Sequence, residues 1–267
     1  MACLVVAASA GAHLDQYFLG GHLGYAGALR GVIGRNYQRY DLAETRLAPG
    51  QNGGPTFGEA PSVRFNHPPL SNGLVGLAFA AAGPERWAAR LVPVAASVLA
   101  VSLLFGFLRR LWDPTVAAVA VLLWSLSPFV GIYGGMVSYE PLVILAWAAL
   151  LWAWARFRVD GDRGRAPLVV AALAVTAGVW TDWPMVALGG GVAVAEGAAV
   201  ILARPRRPAL LVVVAATLVL SFAALAAYYL LLLDVDAGRL ESLYRLRSSP
   251  GRWAPAEMAV HIAHRTA

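Results

Sequence analysis

The sequence predicts an all-α integral membrane protein with about seven transmembrane helices and interfacial helices in a long first outer loop. Three observations carry that reading. The 267 residues are 59% hydrophobic and 13% charged, against about 45–50% and about 25% in soluble domains. The mean hydropathy is +0.62. Long apolar stretches follow one another, with arginines gathered between them in alternate loops. This composition excludes a soluble enzyme, a disordered chain and a disulfide scaffold. The lone Cys3 has no partner for an internal disulfide.

Each apolar stretch has its own justification. Residues 2–12 fall short of the about 17–25 residues a span needs and lack the basic flank of a signal peptide. They read as a first transmembrane helix clipped at its start. Residues 87–108 form a span with Arg90 near one end, and residues 114–137 carry no charge and read as one continuous span. Residues 141–155 and 167–180 are short, about 21–23 Å by helical rise. They cross if flanking arginines snorkel or the bilayer thins. Residues 183–203 hold one acid, Glu196, read as a packed or snorkelling carboxylate among Gly189, Gly190, Gly191 and Gly197. Residues 209–233 are uncharged. Residues 1–233 thus form one transmembrane domain with its first outer loop at 13–86, and residues 234–267 form an outer loop or tail. Residues 70–82 are apolar but interrupted by Gly73 and Gly76, and read as a helix lying at the interface.

The arginines orient this set. Arg109 and Arg110 follow one span; Arg156, Arg158, Arg163 and Arg165 lie between two others; Arg204, Arg206 and Arg207 follow a third. The opposite short loops, at 138–140 and 181–182, contain none. The positive-inside rule makes the arginine-rich loops and the N-terminus cytoplasmic. His13, His22, His67, His261 and His264 then fall on the outer side, with Asp15, Glu140 and Asp182. The net charge of +6 comes from 21 basic residues, all arginine. They are scattered and accompanied by no nucleic-acid motif, so the partners expected are membrane lipids and no nucleic acid.

In the outer segment, Tyr25, Leu29, Val32, Ile33 and Tyr40 share a face at helical spacing, with Arg30 and Gln38 directed away from it. An amphipathic interfacial helix over residues 24–40 is predicted. Residues 49–61 are rich in glycine and proline and read as a loop. Asn66-His67-Pro68-Pro69-Leu70 follows. Its two prolines hold His67 extended, and Pro69 suits the opening of a helix.

These residues carry a resemblance. Asn66–Leu70, followed by an apolar helix, Gly83, and Arg90-Leu91 at the start of a span, resembles the GT-C glycosyltransferases. The similarity is to the bacterial branch related to protein O-mannosyltransferases and the lipid A aminoarabinose transferase. Arg35-Asn36 with Arg39-Tyr40 resembles that branch's first outer loop, Met136–Leu142 its second, and Thr181-Asp182-Trp183-Pro184 its third. The motifs occur in family order along nearly the whole chain. The resemblance implies transfer of a sugar from a polyprenyl-phosphate carrier to a glycan, lipid or protein acceptor at the outer face of a bacterial plasma membrane. Members run to roughly twice this length, so the chain is expected to correspond to the N-terminal part of such an enzyme.

The chemistry needs a base for the acceptor hydroxyl, and cationic groups or a divalent metal for the departing phosphate. Glu140 and Asp15 are the expected catalytic acids; Arg35, Asn36, His67, Asp182, Arg245 and Arg247 are expected to bind substrate. No metal-ligand spacing stands out, His261-x-x-His264 being two histidines near a chain end. Many family members carry an acid about nine residues before the arginine of the first-loop helix. Here that position falls on Ala26-Gly27, which keeps a non-catalytic scaffold or inactive fragment as the alternative. A transporter should show inverted repeats and midplane charges, and neither is found.

Overall fold

Prolines, capping side chains and two glycines with positive φ, Gly83 and Gly161, cut the chain into its helices. The computed structural model describes residues 1–18, 21–40, 42–51, 67–202 and 208–233. Among them the order is α1 (Ala2–Gly11), α2 (Gly21–Arg39), α3 (Leu42–Thr45), α4 (Leu70–Ala82), α5 (Arg86–Leu111), α6 (Pro114–Ser125), α7 (Pro128–Tyr133), α8 (Glu140–Arg158), α9 (Arg165–Val179), α10 (Pro184–Leu202) and α11 (Ala209–Ala227). A π-helical turn, Tyr228–Leu232, continues α11. No strand occurs among the described residues. The protein is an all-α membrane protein: α5, α8, α10 and the continuous Ala209–Leu232 helix are long and apolar enough to cross a bilayer, and α1, α4, α6 and α9 are shorter apolar helices.

One expected element takes a different form. Residues 114–137 are two helices, not one continuous span. Asp113 caps α6 by accepting from the Thr115 N–H at 2.7 Å, with Pro114 in the first turn. Pro128 then ends the run. It lacks an N–H, and it forces Ser127 out of the helical region to φ −66°, ψ 148°. Ser127 Oγ restarts the chain as α7 by accepting from the Val130 N–H at 3.4 Å. Ser127-Pro128 is the sequence signal for this break.

The second difference is rotational. The buried face of α2 is Ala26, Arg30, Ile33 and Tyr37, continued by Tyr40 just beyond its end, while Tyr25 and Val32 are exposed. Arg30 therefore points inward, against the sequence expectation. The face is set by α4, where Gly76 lets the helices close: a Cβ there would lie 2.8 Å from Tyr37 Cδ2.

The main core joins α8, α9, α10 and α11 through Leu150, Val175, Val179, Met185, Leu210 and Val214. Long-range polar contacts define the two ends of the bundle. At one end, Arg110 of α5 pairs with Asp160 just beyond α8 at 2.7 Å, and Arg158 of α8 pairs with the buried Glu196 of α10. Glu196 also accepts from Trp154 Nε1 at 3.0 Å. At the opposite end the Leu70 N–H donates to the Trp180 carbonyl at 3.0 Å, pinning the start of α4 on the end of α9.

The loop before α8 passes so close to α1 that side chains are excluded. A Cβ at Gly135 would lie 2.3 Å from the Ala10 carbonyl oxygen. Because the obstacle is backbone, Gly135→Ala is expected to lower stability by about 1–3 kcal/mol. Thermal unfolding in detergent checks this, and an unchanged midpoint would show that α1 is free to yield.

Candidate functional site

The Pro68-Pro69 pair and the α4–α9 backbone bond together bring His67 beside Asp182, which immediately precedes Trp183-Pro184 at the start of α10. His67 Nδ1 lies 2.8 Å from Asp182 Oδ1. Asp182 is 7% exposed, and the same oxygen accepts from the Trp183 N–H at 2.9 Å. A carboxylate held this way fixes the orientation of the imidazole. The His67 ring stacks on Tyr139, with centroids 3.9 Å apart.

Tyr139 precedes α8 and carries a second partner. The Arg30 guanidinium lies 4.8 Å from the Tyr139 ring centroid, and Arg30 Nη1 donates to the Ala26 carbonyl at 3.2 Å. Arg30 is 8% exposed. Burial pulls its pKa below the usual arginine value, while Tyr139 and the carboxylates of Glu140 and Asp182 oppose that shift. Arginine keeps its charge at any physiological pH, so a permanent cation sits within the field of two acids.

Glu140 is the first residue of α8, ahead of Pro141. It is half-buried and accepts from the Ser138 hydroxyl. An acid at a helix N-terminus is favoured by the macrodipole. A cavity of about 90 Å³ opens among Arg30, His67, Ser71, Asn72, Ser138 and Tyr139. Ala26, Leu29, Ile33 and Pro49 complete its wall, so it offers a few donors in a largely apolar space.

Of the expected site residues, the structure therefore brings Glu140, His67 and Asp182 together. Asp15 stands apart. It is exposed in the segment after α1, and its electrostatic partner is Arg90 of α5. Arg90 donates to the Leu14 and Gln16 carbonyls and stacks on Phe18 at 4.6 Å. That segment borders a second cavity of about 360 Å³, lined by His13, Gln16, Tyr17, Phe18, Arg90 and Met136 among others. Val137 lines this cavity and Ser138 the first, so the two share the loop before α8 as a wall.

Arg35 is exposed on α2. Asn36 is buried, and its Nδ2 donates to the Gly50 carbonyl at 2.9 Å, tying down the chain after α3. Arg245 and Arg247 lie outside the described residues, as do Asn66, His261 and His264. Among the described residues, no three His, Cys, Asp or Glu side chains group closely enough to hold a metal ion. Sequence reasoning missed Arg30 and Tyr139. The signal for Arg30 was its place in the 26, 30, 33, 37, 40 series, an arginine on the three-and-four spacing of a buried face.

Comparison with known proteins gives two matches. A family model described as dolichyl-phosphate-mannose-protein mannosyltransferase matches residues 66–231, more than half of the chain. The fold is similar to that of the Archaeoglobus fulgidus oligosaccharyltransferase in its apo form, with a TM-score of 0.54 at 16% identity. That likeness covers 86% of this chain and 29% of the archaeal one, so this chain spans under a third of the solved protein. At this identity the likeness is one of fold. No curated protein matches.

Proposed function

The chain belongs to the dolichyl-phosphate-mannose-protein mannosyltransferase family, one of the GT-C glycosyltransferases, and from that premise we propose a specific reaction for it. The protein moves a sugar from a polyprenyl-phosphate carrier to a hydroxyl-bearing acceptor, a glycan, lipid or protein, at the outer face of the membrane. The observation that carries this reading is that Arg30 and His67 line one small cavity, with Asp182 bonded to His67 behind it and Glu140 within the electrostatic reach of Arg30, four residues from separate parts of the chain. The arginines that mark the inner side pair at the other end of the bundle, which supports a working face outside. The bacterial branch that the motifs resemble makes the plasma membrane the proposed setting.

In this reading Glu140 takes the proton of the acceptor hydroxyl. The acceptor oxygen bonds to the anomeric carbon as the bond from that carbon to the phosphate oxygen breaks. The phosphate leaves on its lipid, with Arg30 and His67 as the donors that meet its developing charge. Asp182 holds His67 in place for that contact. Asp15, beside the second cavity, is the alternative base on the acceptor side. A divalent metal in support of the phosphate belongs to the same proposal, without an assigned ligand set.

The test is sugar transfer from a polyprenyl-phosphate donor in membranes. Glu140→Gln keeps size and hydrogen bonding but removes the base, and should lower transfer by about 100-fold or more. Transfer at the wild-type rate would remove Glu140 from the mechanism. No transfer by the wild type would favour a non-catalytic scaffold.

A further inference from the structure

The π-helical turn that ends α11 ties the outer loop to the membrane bundle at two points. Tyr228 and Tyr229 are adjacent and buried. A π-turn winds each residue through a smaller angle than an α-helix, so consecutive side chains diverge less. Here the two hydroxyls reach two carbonyls that lie far apart in sequence. Tyr228 donates to the Arg46 carbonyl at 3.1 Å, and Tyr229 donates to the His67 carbonyl at 3.2 Å. Tyr228 is braced by Trp180, with ring centroids 5.7 Å apart, and by Tyr229 itself at 5.3 Å.

The Arg46 end is over-determined. Arg46 and Leu47 both have positive φ, 49° and 60°, a conformation that residues with a Cβ rarely adopt. Three hydrogen bonds hold them there. Besides the Tyr228 bond, Tyr37 donates to the Leu47 carbonyl at 2.8 Å, and Arg46 Nη1 donates to the Leu232 carbonyl at 2.8 Å. Burial raises the Tyr37 hydroxyl above its ordinary pKa, with Tyr228 and Tyr229 adding to the shift, so it stays a donor. Leu232 closes the π-turn, and a last-turn carbonyl has no donor within its own helix. The arginine supplies one. Strained backbone persists only where its surroundings enforce it, and such places cluster at functional sites.

The turn thus stands on a rigid base at Arg46 and holds the His67 main chain with its remaining tyrosine. We propose that Tyr229 is a positioning residue of the donor site: its hydroxyl fixes the His67 backbone, so that the imidazole meets the carrier phosphate. This rests on the donor-site reading given above. The side-chain link to Asp182 sets the ring's direction, and the Tyr229 link sets its height over the cavity. Loss of the hydroxyl leaves the aromatic packing intact and lets His67 drift.

The test uses the full chain in nanodiscs and compares Tyr229→Phe with Ser221→Ala. The latter variant loses one α11 hydrogen bond, that to Thr176, without touching His67. Carbethoxylation of His67 by diethyl pyrocarbonate, read by mass spectrometry against His13, reports the exposure of the imidazole without needing activity. Tyr229→Phe should change the His67 rate by about threefold to tenfold, the scale of one net hydrogen bond. The rate at His13 should be unchanged, and Ser221→Ala should have no effect on either. For transfer from a polyprenyl-phosphate sugar, kcat should fall by a similar factor with KM within about twofold, because His67 meets charge that develops in the transition state. An unchanged His67 rate in Tyr229→Phe, or an equal change in Ser221→Ala, would overturn the proposal. If the wild type transfers no sugar, the functional reading fails, and the modification rates alone still decide whether Tyr229 positions His67.

Discussion

Arg30→Met should lower kcat/KM for transfer from a polyprenyl-phosphate donor by about 100-fold to 1,000-fold, the cost of deleting one preorganised donor that meets a developing charge. Methionine approximates the volume of the aliphatic stem, so the packing of α2 on α4 survives. What is lost is the cation within the field of Glu140 and Asp182. Arg30→Lys is the sharper probe. A flat guanidinium lies 4.8 Å from the Tyr139 ring centroid, and an ammonium on a flexible stem reproduces neither that stacking nor the forked donor geometry. Lysine should therefore recover only a minor part of the lost rate. The measurement is steady-state transfer in membranes. A lysine variant within threefold of wild type would mean that charge alone suffices, and a methionine variant at that level would remove Arg30 from the reaction.

The second large effect is on stability. Arg158 and Glu196 pair between α8 and α10, and Glu196 is only 3% exposed. Arg158→Leu leaves a buried carboxylate with one described donor, Trp154 Nε1, and should destabilise the protein by about 3–5 kcal/mol. Glu196→Leu alone should cost less, because a long arginine near a helix end reaches the headgroup region. The double variant, leucine at both positions, should recover most of the loss, since a buried pair exchanges for apolar side chains at nearly no net cost. Reversible unfolding in detergent, run as a double-mutant cycle, reads the coupling directly. Additive single changes would show that the two side chains do not depend on each other.

The legible and illegible parts of the molecule differ in physical kind. The helix over 70–82 was readable because apolar run, proline start and glycine stop all agree locally, and it is found at Leu70–Ala82. The place of Glu140 at the start of α8 was readable for the same reason: an acid before a proline at the head of an apolar run. The pairing of His67 with Asp182 joins residues 115 positions apart, and no local pattern encodes such a contact. The burial of Arg30 was misread because α2 offers two faces of mixed character, and only α4 decides between them. Asp15 was picked out as an acid near the end of the first span and Asn36 by the Arg35-Asn36 motif resemblance, but their settings come from tertiary contacts. Asp15 lies with Arg90, and Asn36 anchors the Gly50 carbonyl.

The break at Pro128 has a consequence for the surrounding lipid. α6 ends after Ser125, giving it about 18 Å of helical rise, well short of the about 30 Å hydrocarbon layer. α7 does not extend the same cylinder, and Leu126 is 62% exposed at the break. Lipids beside α6 and α7 therefore meet a lower hydrophobic wall than those beside the 26-residue α5. Mismatch of this kind is relieved by local thinning of the bilayer, at a cost of fractions of a kcal/mol per ångström. Where α6 and α7 face lipid, the annulus is expected to be shallower than along the long helices.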